Sequence, residues 1–259
     1  MNPSSLLNIS RFPLVQFKSL GTYIFNLPKA VLMIFVLNVS LYLLQVLLYL
    51  LNFDITDYLN LYYVGSTNFF PHQIIASNFV HDDSIDHLLS NMIFLLIFGP
   101  LVEKRLGTSV FIFLYLIGCI CCSSFNLLHW EQEIAKSENY FNSFVSNSEE
   151  EKWISSVTRN CFLSGLAAKG ASGAIACVLL IYLIIGVFEK TTLKISLSLF
   201  FGTAVMLIDL WPLLTNYPGQ EFLNYGHLGG YFAGGVFSIY LWVCFFSKKS
   251  RLSFNDSAK

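Results

Sequence analysis

Ser172 stands two residues after Gly170 and directly before Gly173 in the run Gly170-Ala171-Ser172-Gly173-Ala174, and His227 lies in Gly226-His227-Leu228-Gly229-Gly230. A hydroxyl and an imidazole are the pair needed for nucleophilic attack with general-base assistance, provided the fold brings them within about 3 Å. Hydrogen side chains beside the serine leave room for a substrate backbone, and a helix start at that point favours developing negative charge. His87 and Asn91 are four apart in His87-Leu88-Leu89-Ser90-Asn91, hence on one helical face, and both can donate hydrogen bonds. Two donors facing a nucleophile are what a tetrahedral oxyanion requires. Each feature also has a plainer use. Small residues in apolar helices commonly serve close packing, so Gly170, Gly173, Gly230 and Gly234 are candidate packing positions with or without chemistry. A lone histidine is commonly a satisfied polar group, and His87 with Asn91 could simply tie their helix to its neighbours.

The chemistry depends on whether these residues meet, and composition says what kind of scaffold must bring them together. With 55% hydrophobic and 12% charged residues in 259, the chain is too apolar for a soluble domain of its length. Charge-free stretches lie between Lys29 and Asp54, Arg105 and Glu131, Lys169 and Glu189, and Glu221 and Lys248. Each is near or above the roughly 20 residues that span a hydrocarbon core. Two shorter ones, His87 to Val102 and Ile195 to Ile208, would cover only about 20 to 24 Å at about 1.5 Å per residue and need flanking residues or shielding. Six spans is the economical count. It also sorts the charges: Arg11, Lys18, Lys29, Lys104, Arg105, Lys190, Lys194 and the cations from Lys248 onward fall on one side, and most acids on the other. Lys and Arg excess marks the cytoplasmic face, so both termini are expected inside, and a five- or seven-span count would spoil the pattern. In this topology His87, Ser172 and His227 all lie near helix starts on the outer side. Glycine-mediated packing of the fourth and sixth spans could then join hydroxyl to imidazole.

Other features are less informative. The cysteines lie in or beside apolar segments and suit small-hydrophobe packing better than disulfide or metal use. The first 28 residues, basic and serine-containing without acids, have the composition of an organelle transit peptide but equally that of a cytoplasmic lead-in, which is preferred here. Aromatics among polar residues in the 53–86 connection suit an interfacial segment, and the polar stretch 130–169 reads as an exposed loop with at most a short helix. Asp209, near the outer end of the fifth span, could orient His227 as a third catalytic member. His72, His81 and His129 lack the spacing of a zinc site, and no phosphate loop or His-Glu-x-x-His run is present, which disfavours an ATPase or a membrane zinc protease.

The run HLLSNMIFLLIFGPLVEKRLG from His87 to Gly107 resembles the second span of rhomboid proteases, with its His-x-x-x-Asn element and trailing Glu-x-x-x-Gly. GASGA at 170–174 is similar to the rhomboid nucleophile motif, and GHLGGYFAGG at 226–235 to the histidine motif. One departure is Ala176, where family members often carry an aromatic that stacks on the catalytic histidine. The resemblance implies an all-α, polytopic, six-transmembrane-helix bundle. Its divisions would be a cytoplasmic segment 1–29, a six-span protease domain 30–247 with outer loops 53–86 and 130–169, and a cytoplasmic tail 248–259. It implies an intramembrane serine endopeptidase working by a Ser-His dyad without Asp209, in which Ser172 is the nucleophile and His227 the base, with His87, Asn91 and the Ser172 backbone amide as oxyanion donors. Its substrates would be single-span membrane proteins that unwind locally, reaching the site beside the fifth span under a cap at 214–225. Neither cofactor, metal nor nucleic acid is implied, and the expected location is a bacterial inner membrane. The alternative is a non-catalytic rhomboid-like protein that binds membrane helices for quality control.

Overall fold

The computed structural model describes residues 26–81, 84–142, 163, 165–188, 193–215 and 225–256. Among these, six long helices follow one another: α1 (Lys29–Leu50), α2 (Ile85–Leu106), α3 (Thr108–Asn142), α4 (Ser172–Phe188), α5 (Leu193–Thr215) and α6 (Tyr225–Asp256). Three of them, α1, α2 and the Thr108–Lys136 part of α3, are long and apolar enough to cross a membrane; Ser172–Val187 and Leu197–Trp211 are shorter apolar segments. The two stretches expected to fall short are longer as helices. α2 has 22 residues and α5 has 23, about 33 to 35 Å of rise. α2 gains that length from polar flanks: Ser84 accepts from the Asp86 N–H at 3.3 Å as N-cap, and Lys104 and Arg105 occupy the last turn, where cations complement the helix dipole.

The outer stretch 130–169 departs from the expected loop. α3 runs on through Asn142, so its first residues continue the third helix; residues 143–162 and 164 lie outside the described residues, as do 216–224 of the expected cap. α6 likewise continues as helix to Asp256, through most of the expected tail.

α4 is the central helix. From Ala171 to Leu183 it is buried on nearly every side, as a helix apolar all round must be, against α6 and α3 on one flank and α2 on the other. α1 packs on α2, and α5 lies on α4 through a sparser contact. The outward faces are apolar as well: Leu43, Leu47, Phe113, Phe200, Ile208 and Ile239 are exposed. Such a continuous apolar exterior suits lipid rather than water.

Two polar devices fix the ends of the bundle. At one end the buried Glu103 carboxylate of α2 accepts from the Ala30 N–H at 2.9 Å, the Val31 N–H at 2.8 Å and the Thr108 hydroxyl at 2.8 Å. It thereby satisfies orphan donors in the first turn of α1. Gly107 beside it has φ +85°, a conformation open to glycine, which lets α3 start with only this residue between it and the end of α2. At the other end, strand β1 (Leu61–Tyr62) pairs antiparallel with β2 (Ala167–Ala168), joining the α1–α2 connection to the segment that leads into α4.

Candidate active site

The approach to Ser172 is built by that strand pair. Gln73, fully buried, holds the α1–α2 connection in shape: its Oε1 accepts from the Tyr62 N–H at 3.4 Å and the Phe70 N–H at 3.1 Å, and its Nε2 donates to the Asn68 carbonyl at 2.9 Å. Burial first, and then the Asp57 carboxylate, push the Tyr62 phenol above its ordinary pKa, so it stays a neutral donor. After β2, the Gly170 N–H donates to the Ser77 carbonyl at 2.9 Å. Gly170 itself has φ +117°, and a Cβ there would lie 2.6 Å from the His87 ring. Only glycine meets both demands. The chain then turns into α4 with Ser172 as its first helical residue.

His87 and Asn91 reach this turn from α2. Asn91 is 2% exposed, and its Nδ2 has no hydrogen-bond partner among the described residues; the same nitrogen is 3.8 Å from where a Gly170 Cβ would stand. A buried amide donor left unsatisfied costs about 1–3 kcal/mol, so its retention calls for an explanation. His81, buried, lies edge-on to His87 with ring centres 5.2 Å apart.

His227 reaches the site from the first turn of α6, where helix packing is at backbone contact. A Cβ on Gly230 would overlap the Gly173 carbonyl oxygen, one on Gly234 would lie 2.7 Å from the Cys177 carbonyl oxygen, and one on Gly173 would collide with the Cys122 sulfur. Small residues on both helices permit this closeness. His87, Asn91, Ser172 and His227 thus line one cavity of about 210 Å³, together with apolar walls that include Phe94 and Phe98. A second, more polar cavity of about 260 Å³ lies on the other side of Ser172, edged by Ser77, Asn78, Ser123 and Asn126. Ser172 therefore borders two spaces, one suited to side chains and one to water.

A further group reaches the site from α5. Asp209 of α5 lines the 210 Å³ cavity; its Oδ2 is 3.0 Å from His227 Nδ1 and accepts from the Tyr231 hydroxyl at 2.8 Å. A carboxylate in an otherwise apolar span was the available signal. Tyr231 and the organiser Gln73 were not singled out at all. For Tyr231 the spacing of four from His227 is a usable clue; for Gln73, whose partners are backbone groups of an irregular connection, none is visible.

A family model described as Rhomboid domain matches residues 70–244, which contain all the residues lining the cavity. A protein of Arabidopsis thaliana described as "RHOMBOID-like protein 12, mitochondrial" is 28% identical over 164 residues, covering 61% of this chain and 43% of that protein. The chain thus spans less than half the length of the relative it matches. The three motifs, the apolar helical architecture and a family match over more than half its length together make this chain a member of the rhomboid family.

Proposed function

We propose that this protein is an intramembrane serine endopeptidase that cleaves transmembrane helices. The observation that carries this reading is the convergence of the Ser172 hydroxyl, the His227 imidazole and the unsatisfied Asn91 amide on one cavity. Ser172 attacks the scissile carbonyl while His227 takes its proton; the oxyanion is met by Asn91, His87 and the Ser172 backbone N–H. His227 then returns the proton to the leaving amine, and water releases the acyl-enzyme. The chemistry draws on side chains and water alone.

The bilayer dictates the rest. Six spans with both termini inside put the mouth of the site on the outer face. α4 opens at Ser172 and is apolar along its described length, so in this reading its first residue stands at the outer end of a buried span. The non-helical backbone before it is tolerated there because the β1–β2 pair and Ser77 satisfy it. A helical substrate hides its carbonyls in its own hydrogen bonds, so single-span proteins that unwind easily near the outer interface are the expected substrates. The polar cavity beside Ser172 supplies the hydrolytic water. Fractionation of the tagged chain separates the expected bacterial inner membrane from the mitochondrial address in the relative's name.

A fluorophosphonate probe tests the reading directly. It should label the purified chain at Ser172 and fail to label Ser172→Ala. Ser172→Ala and His227→Ala should each abolish cleavage of a model single-span substrate, and the double variant should be no worse, because nucleophile and base act as one unit. A folded chain that neither labels nor cleaves is instead a non-catalytic binder of membrane helices.

A further inference from the structure

We propose that Asp209 is a positioning residue for His227, which makes the site a Ser172-His227-Asp209 triad; this rests on the protease reading above. His227 and Tyr231 are four apart on α6, so their side chains lie one above the other on one face. Both point at a single oxygen, Asp209 Oδ2, at 3.0 and 2.8 Å. A carboxylate can only accept from an imidazole nitrogen, so the hydrogen of a neutral His227 sits on Nδ1 and the lone pair on Nε2. Nε2 is the nitrogen that must face the nucleophile if Nδ1 faces Asp209. The contact therefore selects the tautomer that can act as base and fixes the plane of the ring.

The same geometry serves the reaction. As the Ser172 O–H bond breaks and the Oγ–acyl carbon bond forms, Nε2 gains the proton and the ring becomes a cation beside the Asp209 carboxylate. The carboxylate stabilises that charge without taking a proton; Nε2 then passes its proton to the amine nitrogen as the C–N bond breaks. The Tyr231 hydroxyl holds the carboxylate in place by donating to the same oxygen. At position 176 of α4 the chain has an alanine, buried against Gly230, which contributes no ring to hold the imidazole. Asp209 supplies orientation from α5 instead. Because α5 contributes the carboxylate and α6 the imidazole, the base is correctly held only while the outer ends of these helices stay together.

The test uses the full chain, reconstituted with a single-span substrate, and the variants Asp209→Asn, Asp209→Glu and Tyr231→Phe. Asp209→Asn should lower kcat at least about tenfold with KM and melting temperature nearly unchanged, since an amide of the same shape can present its NH2 and favour the wrong tautomer. Asp209→Glu, which still carries an acceptor, should recover most of that loss, and Tyr231→Phe should cost less than Asp209→Asn. Nitrogen-15 histidine spectra give a readout free of activity: the hydrogen-bonded Nδ1–H of His227 should be visible in the wild type and lost in Asp209→Asn. A wild type that labels at Ser172 while Asp209→Asn turns over normally overturns the triad alone. Loss that follows melting temperature in both Asp209 variants equally reduces Asp209 to a strut between α5 and α6. A wild type that fails to label overturns the protease reading, and the triad with it, even if the Nδ1–H signal is present.

Discussion

Asn91 separates catalysis from packing, because its buried amide nitrogen has no described partner to hold. If it donates to the oxyanion, Asn91→Ala should lower kcat by roughly 10² to 10³, about 2.7 to 4 kcal/mol, with KM nearly unchanged. Removing an unsatisfied donor should not destabilise the fold, so the melting temperature should hold or rise. An unstable variant with a normal single-turnover rate would instead show that Asn91 ties α2 into the bundle. At this scale much was legible: His87 and Asn91 declare themselves by a spacing of four, and Ser172 and His227 by glycines that only a crowded helix start requires. Asp209 was visible as a carboxylate out of place, yet its partner could not be read, because its contact with His227 depends on how α5 rests against α6. Gln73 was invisible for a related reason. Its value lies in carbonyls and N–H groups of a connection whose path no periodicity encodes.

Among the elements, the α4–α6 contact decides whether hydroxyl and imidazole meet. Gly230 allows the two backbones to touch, and any side chain there must displace one of them. Gly230→Val should push α6 outward, and since about 1 Å of displacement can cost on the order of a hundredfold in rate, cleavage should fall by at least that much. Gly235→Ala is the matched control: its Cβ would meet Leu180 at an ordinary 3.6 Å, so it should remain close to wild type in both rate and melting temperature. Full activity of Gly230→Val would show that the glycine stripe is not the contact that sets the site. Helix positions were readable from charge-free runs, whereas helix lengths were not. α2 extends into polar residues because its cap and end charges make those turns favourable, and α5 runs on past the Asp209 carboxylate, so a charge-based boundary cuts both short. The β1–β2 pair was unforeseen, since two residues on each side are too few to show an alternation.

For the whole molecule, two sets of hydrogen bonds define its ends without reference to a membrane. Glu103 joins the start of α1 to the end of α2, so Lys29, Lys104 and Arg105 share one end. The β1–β2 pair and the Gly170–Ser77 bond join the α1–α2 connection to the start of α4, so Ser172 belongs to the opposite end. The cation excess at the Glu103 end predicts a cytoplasmic location for that end. Thr67 in the α1–α2 connection and Lys104 are both exposed, one at each end. In a background with the six native cysteines replaced, Thr67→Cys should react with a membrane-impermeant maleimide added to intact cells. Lys104→Cys should react only after the membrane is opened. The reverse pattern would invert the chain and turn the mouth of the cavity toward the cytoplasm, so that substrates would have to unwind at the inner leaflet. Reaction of both from outside would be more damaging, because α1 and α2 could not then each cross, and the shared outer start of α2, α4 and α6 that brings His87, Ser172 and His227 together would be lost.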